Sequence, residues 1–401
     1  MKYDFVSIMD RKGKDAMALD CLGEPWAPAP PKDGYDVIPM WVADMNFPVL
    51  PDICRAIVGR INHPSFGYFE PRPEYYDAII DWHKKRKNVA DLKAEYIGYE
   101  NGVLGGVLSA LGTFCSRGDN VLIHNPAYSG FTKVLKQNGY NMIFSDLFID
   151  DKGVWRMDYK DMEEKIVRNN IHAALFCTPH NPTGHVWEKW EVEKMMDLFK
   201  KHDVYVVSDE IWSDIIMPGY VHTPTQSVSE DAKNRTVALY APSKTFNLAG
   251  IVGSYHVIYN KRLRDRVNKE SSLSHYNEMN VLSMYSLIGA YSSAGHEWTD
   301  ELCQVLQDNI SYACDYIDNH FEGVTYARPQ GTYMLYIDCE KWLTNHNMVL
   351  DELLKSGWDV GVAWQNGAAY GGKYHIRINL ALPLSLVQEA FRRMDKYVFN
   401  K

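Results

Sequence analysis

Lys244 occupies a position in the sequence where a lysine side chain is chemically unusual. It follows an apolar, strand-like run in the short loop Ala241-Pro-Ser-Lys-Thr-Phe-Asn247. A charged lysine just after a buried strand is costly to desolvate, and an imine formed with an aldehyde removes the charge while creating a reactive group. Because surface lysines are common, an isolated Ser-Lys pair is more often an exposed loop residue. The prediction that Lys244 forms an imine therefore depends on the residues that accompany it.

Three other side chains follow strand-like runs of their own and are predicted to lie near Lys244. They are Tyr128, Asn181 and Asp209. Ligands of open α/β sheets bind where the carboxyl ends of strands meet their loops, so these side chains are expected at one edge. Asp209 can keep a pyridinium nitrogen protonated, the Asn181 amide can reach a phenolic oxygen, and the Tyr128 ring can stack on a flat heteroaromatic. Each residue also has an ordinary interpretation: Asp209 as a helix N-cap, Asn181 as a turn asparagine and Tyr128 as a packing residue.

Two further places in the sequence suit the binding of anions. Gly102 opens a run with apolar residues at helical spacing, and the free backbone amides of Val103 and Leu104 can receive a phosphate. Arg377 alternates with isoleucines in a strand-like run, where its planar guanidinium can bind a carboxylate through two hydrogen bonds. Taken alone, Arg377 is equally well explained as an arginine on a solvated strand face.

The elements that must position these residues follow the pattern of βαβ units. Between about residues 95 and 260, short β-branched runs alternate with amphipathic ones, which predicts a mainly parallel sheet. The predicted strands are 120–124, 173–177, 204–208, 236–240 and 255–259, with a crossover helix over 188–202. A long helical run at 298–321 begins the C-terminal part. It is followed by three predicted strands, at 324–326, 333–339 and 374–380, and two predicted helices, at 349–355 and 386–398.

We therefore predict an α/β fold with two domains. A large domain, with a mainly parallel sheet between helices, is expected to span 46–290, and a smaller α+β domain is expected to comprise 1–45 and 291–401. The segment up to about Asp44 is rich in proline and cannot form a long helix, so it is expected to cross both domains.

Composition and charge exclude several functional classes. The 401 residues are 46% apolar and carry a formal net charge of −9, so the chain is expected to be globular and not to bind nucleic acid. The first twenty residues lack the apolar core of a signal peptide, and no run is long enough to span a bilayer, so a cytoplasmic protein without membrane contact is expected. The seven scattered cysteines lack disulfide or zinc spacing and are expected to be small buried residues.

Four short motifs occur in a fixed order along the chain, namely Asn-Pro-Thr-Gly at 181–184, Ser-Asp-Glu-Ile at 208–211, Ser-Lys-Thr-Phe-Asn at 243–247 and Arg-Ile-Asn at 377–379. In order and spacing, over nearly the whole chain, they resemble the fold-type I pyridoxal 5′-phosphate (PLP) enzymes of the class I/II aminotransferase superfamily. Four motifs resemble its carbon–sulfur lyase branch, which includes cystathionine β-lyases and the maltose-regulon modulator protein. These are Asp10-Arg-Lys-Gly13, Met40-Trp-Val-Ala-Asp-Met45, Phe66-Gly-Tyr68 and the same Ser-Lys-Thr-Phe-Asn at 243–247.

The resemblance implies a PLP-dependent enzyme whose cofactor forms a Schiff base with Lys244, which would also act as the general base. The resemblance also implies that Asp209 contacts the pyridine nitrogen, Asn181 the phenolic oxygen and Tyr128 the face of the cofactor ring. Arg377 would bind the α-carboxylate of the substrate. Tyr68 would reach the phosphate of the neighbouring subunit, so the resemblance implies a homodimer with shared active sites.

Three positions depart from the common aminotransferase pattern. Trp212 replaces the tyrosine after Asp-Glu-Ile, Ala241 replaces the serine three residues before the lysine, and Val252 replaces the arginine eight residues after it. The lyase branch shares the loss of the arginine, which supports the assignment to that branch. The phosphate contacts are then expected from the backbone or side chains of Val103, Leu104, Ser243 and Tyr68.

The leading hypothesis is α,β-elimination on cystathionine or a related cysteine thioether, which releases a thiol, pyruvate and ammonia. Transamination is the alternative, because the same carbanion can be reprotonated on the cofactor and no single residue decides between the two outcomes. A third hypothesis, by analogy with one member of the lyase branch, is a regulatory protein that keeps the cofactor and acts by binding a partner.

Overall fold

The computed structural model describes residues 1–274 and 277–400 of the chain. In chain order, its strands are β1 (Ile38–Pro39), β2 (Ile97–Glu100), β3 (Asn120–Asn125), β4 (Asn141–Ile149), β5 (Trp155–Met157), β6 (Ala173–Cys177), β7 (Tyr205–Asp209), β8 (Thr236–Tyr240), β9 (Ser254–Val257), β10 (Thr325–Tyr326), β11 (Met334–Asp338), β12 (Val362–Ala363), β13 (Gln365–Asn366) and β14 (His375–Asn379).

The α-helices connect and cover these strands. They are α1 (Met17–Asp20), α2 (Pro51–Ile61), α3 (Pro73–Arg86), α4 (Val103–Phe114), α5 (Ser129–Gln137), α6 (Tyr159–Arg168), α7 (Lys189–Lys201), α8 (Glu230–Arg235), α9 (Lys261–Ser274), α10 (Val281–Ala290), α11 (Ser293–His320), α12 (Glu340–His346), α13 (Leu350–Asp359) and α14 (Leu384–Met394). A π-helical turn, Asp395–Phe399, follows α14.

The large sheet has the strand order β2-β9-β8-β7-β6-β3-β4-β5. Its central strands β8, β7, β6, β3 and β4 are parallel, whereas β9 and β5 are antiparallel to their neighbours. All residues of β6 and β8 are buried, as expected for strands covered on both faces. The mainly parallel sheet and all five predicted strands are confirmed, with shifts of one or two residues at several ends.

Helices cover both faces of the large sheet. On one face, apolar residues of α4, α5 and α9 pack against β3, β6, β7 and β8. On the other face, residues of α6 and α7 pack against β6 and β7, around Phe176 and Trp187. The predicted crossover helix over 188–202 is α7. The carboxyl ends of the central strands therefore open into loops at one edge of a rigid, double-sided core.

The smaller sheet has the strand order β10-β11-β14-β13 and is antiparallel throughout. It packs with α11 and α14, and the predicted strands and helices of this part are present with slightly different bounds. The prediction of a smaller α+β domain is confirmed as a fold class. The domain boundaries at 45/46 and 290/291 stay a prediction.

The N-terminal segment contacts both parts of the molecule, and α1 is four residues long. Strand β1 pairs in parallel with β12 of the C-terminal part, while the backbone of Met45 bonds to the Asn247 side chain, which follows β8. Among the described helices, none is long and apolar enough to cross a membrane.

The prediction of uniformly buried cysteines is wrong in part. All seven are free, and four are buried, namely Cys177, Cys303, Cys314 and Cys339. Cys54 is exposed because it lies on α2, where Ile53 alone of the helix is buried. Cys21 and Cys115 lie at helix ends, where side chains are only partly covered.

Candidate active site

A cavity of about 240 Å³ lies at the edge where β6, β7 and β8 end. It brings together seven of the predicted site residues, namely Val103, Leu104, Tyr128, Asn181, Asp209, Ser243 and Lys244. The other residues that line it are Ala43, Asn101, Gly102, Cys177, Ile211, Trp212, Ala249, Val252 and Gly253. The polar side chains come from separate strand-to-loop junctions, which is the arrangement that parallel strands predict.

Lys244 lies in the loop after β8 with its amine turned into the cavity. Its Nζ donates a hydrogen bond of 2.8 Å to the carbonyl oxygen of Ala43. Burial lowers the pKa of Lys244 to about 8, and the positive charge of Arg377 acts in the same direction, against the opposing carboxylates of Asp44 and Asp209. A lysine with a pKa near 8 is partly neutral at physiological pH and can act as a nucleophile toward an aldehyde.

Asp209 is the last residue of β7, and its side chain is 3% exposed. Burial raises the pKa of Asp209 to about 7, although a 3.0 Å hydrogen bond from the backbone N–H of Ile211 and the charge of Lys244 favour the ionised form. Because this carboxyl group is buried and has a raised pKa, a cation that enters the cavity stabilises its ionised form. It is suited to binding a protonated ring nitrogen.

Arg377 lies on β14 behind Asn181 and is 3% exposed. Its Nη1 donates to Asn181 Oδ1 at 3.1 Å, while Nη2 donates to the carbonyl oxygen of Trp41 and to Gln365 Oε1. Its Nε is buried without a partner among the described residues, and the ring of Tyr370 lies 4.4 Å from the guanidinium carbon. A buried cation with an unsatisfied N–H group has an unused capacity to bind a carboxylate.

The Asn181 amide faces the cavity because its oxygen is engaged by Arg377. With Oδ1 as acceptor, the amide NH2 group is left to donate to an oxygen in the cavity. Asn181 therefore links Arg377 to the cavity. This link crosses between the two sheets, because Asn181 follows β6 and Arg377 belongs to β14.

Tyr128 immediately precedes α5 and is half-buried. Burial raises the pKa of Tyr128 to about 12, so the phenol stays neutral. Its ring packs edge-on against Phe131, with 5.2 Å between ring centres, and folds back over Gly130. A Cβ atom at position 130 would lie 2.4 Å from the Tyr128 ring, so only glycine allows this ring orientation.

The amino end of α4 forms the side of the cavity where an anion is expected. Val103 and Leu104 begin this helix, and Ser243 lies across from them on the cavity wall. Apart from Lys244, none of the described residues that line the cavity is a lysine or an arginine. Ala241 is buried, and Val252 contributes only an apolar side chain. Any phosphate bound here therefore depends on backbone amides, the helix dipole and hydroxyl groups.

Tyr68 is the one predicted cofactor-binding residue that the structure does not bring to this cavity. Its side chain is fully exposed, in an extended segment in which residues 62–70 are all exposed. It therefore completes no contact of the cavity in its own chain.

Sequence reasoning missed the backbone of residues 41–45, whose carbonyl oxygens bind side chains at and around the cavity. The carbonyl oxygen of Trp41 accepts a hydrogen bond from Arg377, that of Ala43 from Lys244 and that of Met45 from Asn247. The carbonyl oxygens of Val42 and Asp44 both accept from the Asn379 side chain. Backbone acceptors leave no mark in residue type, so only the polar Asn247 and Asn379 after strand runs gave a usable signal. Gln365, which holds Arg377, lies in a polar two-residue strand with no apolar pattern.

Comparison with known proteins identifies the family. The model of the family "Aminotransferase class I and II" matches residues 35–394. This chain belongs to that family. It is 30% identical to cystathionine beta-lyase PatB of Bacillus subtilis over 96% of this chain and 97% of PatB.

Solved structures of similar proteins carry PLP. Cystalysin from Treponema denticola, which contains a pyridoxal 5′-phosphate cofactor, superposes with a TM-score of 0.89 at 31% identity, over 99% of this chain and 98% of cystalysin. The PLP-bound C–S lyase from Staphylococcus hominis superposes with a TM-score of 0.88 at 28% identity, over 98% of both chains. The family assignment and the PLP-dependent transferase fold predicted from the motifs are confirmed.

Proposed function

We propose that this protein is a PLP-dependent carbon–sulfur β-lyase that cleaves cystathionine or related cysteine thioethers to a thiol, pyruvate and ammonia. One observation carries the proposal. Lys244, Asp209 and Asn181 converge on one cavity, with Arg377 directly behind Asn181. Two of the three similar proteins described above are named for cystathionine or carbon–sulfur cleavage, which favours elimination over transamination.

The residues of the cavity fit PLP. Asp209 is a buried carboxyl group with no cationic partner within hydrogen-bond distance among the described residues, and the NH2 group of the Asn181 amide is left to donate. In this proposal Lys244 would hold the cofactor covalently, Asp209 would bind its ring nitrogen and Tyr128 would pack against its ring. The phosphate would be bound by the amides of Val103 and Leu104, with Ser243. When bound, PLP supplies a protonated ring that accepts electrons from the bonds at the substrate α-carbon.

The chain's own groups then orient the substrate and move its proton. Arg377, directly behind Asn181, would bind the α-carboxylate through its guanidinium group and so fix the bond at the α-carbon that faces Lys244. The Lys244 amine would take the α-proton, since burial lowers its pKa to about 8.

The quaternary structure and location are part of the proposal. The exposed segment 62–70 presents Phe66, Tyr68 and Phe69 to solvent, and such an apolar arm suits a contact with a second copy of the chain. We infer a homodimer in which Tyr68 reaches the phosphate of the neighbouring subunit. All seven cysteines are free, which is typical of a reducing compartment, and we infer that the protein works in the cytoplasm.

The test uses the purified protein loaded with PLP and supplied with cystathionine in the absence of any keto acid. A lyase forms pyruvate continuously, well beyond one equivalent per active site. An aminotransferase converts cystathionine to the corresponding keto acid without releasing pyruvate and stops after one turnover for lack of an amino acceptor, and this result would overturn the proposal. Lys244→Ala is the negative control, and Lys261→Ala is its matched surface control, since Lys261 lies on the exposed start of α9.

A further inference from the structure

The buried guanidinium group of Arg377 has no carboxylate partner among the described residues. Its hydrogen bonds go to the carbonyl oxygen of Trp41 and to the side-chain oxygens of Asn181 and Gln365, which are all uncharged. Arg377 is 3% exposed, and a buried charge is costly unless the protein compensates for it. A protein carboxylate would offset this cost, but it would also compete with a substrate carboxylate for the same cation. The fold supports this charge by other means.

The ring of Tyr370 faces the guanidinium group. The guanidinium carbon lies over this ring, 4.4 Å from its centre, and Tyr370 is itself 3% exposed. The negative face of an aromatic ring attracts a cation, and the attraction is stronger where water is excluded. Because the ring is uncharged, Tyr370 supports the charge of Arg377 without neutralising it. The ring also occupies one side of the guanidinium group and so restricts its movement.

The hydroxyl group of Tyr370 fixes a second support of Arg377. It donates to Gln365 Oε1 at 2.8 Å, and the same oxygen accepts from Arg377 Nη2 at 2.5 Å. A ring contact and a shared acceptor therefore hold the guanidinium group from two directions. Nη1 donates to Asn181 alone among the described residues, so its second N–H group is left for a ligand.

The turn that carries Tyr370, Gly367–Tyr370, is fixed to the loop that carries Tyr128. The Tyr370 carbonyl oxygen accepts a 2.8 Å hydrogen bond from the backbone N–H of Ala127. The next residue, Gly371, has a φ of +101°, and a Cβ atom there would lie 1.9 Å from Asn125 Oδ1. Only glycine allows so close an approach in this conformation. Tyr370 thus contacts the arginine through its side chain and the Tyr128 loop through its backbone.

We propose that Tyr370 is a positioning residue for the α-carboxylate of the substrate. Its ring and hydroxyl group hold the Arg377 guanidinium at a fixed place relative to Tyr128, so the carboxylate and the cofactor ring are bound at a set separation. The inference rests on the proposed function, in which Arg377 binds the carboxylate and Tyr128 packs against the ring. An arginine held in place binds a carboxylate more tightly, because less conformational entropy is lost on binding.

The test compares two ligands that differ by the carboxylate alone. Glycine and methylamine both carry an amine that reacts with the bound cofactor, and neither has a leaving group to expel. Their dissociation constants for the PLP-loaded protein are measured from the change in cofactor absorbance. The wild-type protein is expected to bind glycine more tightly than methylamine, because Arg377 acts only on the carboxylate. The ratio of the two constants therefore reports the carboxylate site.

We expect Tyr370→Leu to lower the preference for glycine about tenfold and to leave the methylamine constant unchanged. Tyr370→Phe keeps the ring and loses only the hydroxyl group, so it should lower the preference about threefold. Tyr96→Leu is the matched control. The Tyr96 ring lies 5.2 Å from the guanidinium carbon of the buried Arg264 and does not line the cavity, so both constants should keep their wild-type values.

A second measurement uses the apoprotein and covers a variant that loads PLP poorly. The Nε–H group of Arg377 is enclosed without a partner among the described residues, so its exchange with water reports movement of the side chain. In ¹⁵N spectra, the Nε–H resonance that is absent from Arg377→Lys should exchange about tenfold faster in Tyr370→Leu than in the wild type. Tyr370→Met, with a longer side chain, replaces Tyr370→Leu if that variant does not fold.

Two results would overturn the inference. The first is an equal weakening of glycine and methylamine binding in Tyr370→Leu, which indicates a general loss of structure. The second is a glycine preference, or an Nε–H exchange rate in the apoprotein, that stays at the wild-type value. A wild-type protein that forms no chromophore with PLP, or that does not prefer glycine, defeats the proposed function or its role for Arg377. A wild-type preference that ignores residue 370 defeats only this inference.

Discussion

At the residue scale, burial gives the two reactive groups of the cavity their unusual acidities. It lowers the pKa of Lys244 to about 8 and raises that of Asp209 to about 7, so that both groups titrate near neutrality. Each shift also carries a cost in folding free energy for the protein without its cofactor. The proposed function therefore depends on residues that destabilise the protein when the cavity is empty.

We predict that Asp209→Asn stabilises the cofactor-free protein at pH 8. The folded-state pKa of Asp209 lies above its unfolded value of 3.8, so the cost of ionising it in the fold develops between pH 4 and 7 and is complete at pH 8. A shift of this size corresponds to roughly 4 kcal/mol, and asparagine removes this cost. Urea unfolding of both apoproteins at pH 4 and pH 8 measures the difference. Equal stabilities at pH 8 would contradict this account.

Gln365 should tune substrate binding without touching the cofactor. Its Oε1 accepts from Arg377 Nη2 at 2.5 Å and from the Tyr370 hydroxyl at 2.8 Å. Gln365→Ala leaves a buried guanidinium donor without its acceptor, and we expect KM to rise about tenfold, since a hydrogen bond to a charged group contributes about 1.5 to 3 kcal/mol. Steady-state kinetics measure KM, and the absorbance of the bound cofactor should stay unchanged. Gln304→Ala, at an exposed glutamine of α11, is the control.

At the element scale, the strands found from the sequence are those with continuous apolar runs. Strands β3, β6, β7, β8 and β9 were all predicted, whereas β2, β4 and β13 were not. β4 exposes much of its length, and β13 consists of two polar residues, so neither carries the buried pattern. β2 contains Gly98, where a Cβ atom would lie 2.2 Å from His256 Nε2, so packing against β9 requires a residue that weakens the strand pattern.

In the candidate site, residues that act through their side chains could be predicted from the sequence, whereas residues that act through their backbone could not. Residues that act through their side chains after predicted strands, such as Lys244 and Asp209, could be found because residue type and position agree. Residues 41–45 act through carbonyl oxygens, which every residue possesses. Tyr68 could be named only from the resemblance, because its proposed contact lies in another chain.

A buried ion pair links α3 to the turn that carries Trp212. Lys87 Nζ donates to Asp214 Oδ1 at 2.5 Å, and both side chains are almost fully buried. We expect Lys87→Met to destabilise the protein by about 3 to 5 kcal/mol, because it leaves the Asp214 carboxylate buried without its cation. Urea unfolding measures the loss. Lys85→Met, which removes an exposed pair with Asp81 on the same helix, should cost less than about 1 kcal/mol.

The double variant Lys87→Met/Asp214→Asn tests the cause of that loss. If the uncompensated charge is responsible, the double variant should be clearly more stable than Lys87→Met alone, because asparagine leaves no buried charge. If the double variant instead loses as much free energy of unfolding as the two single variants together, packing and not charge holds the turn.

At the scale of the whole molecule, the proposed sharing of active sites between subunits has a quantitative consequence. Tyr68 is fully exposed and Lys244 lies in a cavity of the same chain that Tyr68 does not line. If Tyr68 serves the neighbouring subunit, the Tyr68→Ala and Lys244→Ala proteins have complementary defects. A mixed dimer then contains one site with both native residues and one site with neither.

We predict that dissociating and reassociating equal amounts of the two weakly active variants restores about a quarter of the wild-type activity. Random pairing makes half of the dimers mixed, and each mixed dimer has one complete site of two. Pyruvate release measures the recovery, and a mass tag on one variant confirms that subunits exchange. If the subunits exchange but no activity is recovered, Tyr68 does not act across subunits. A residue that serves only its own chain cannot complement a defect in another chain.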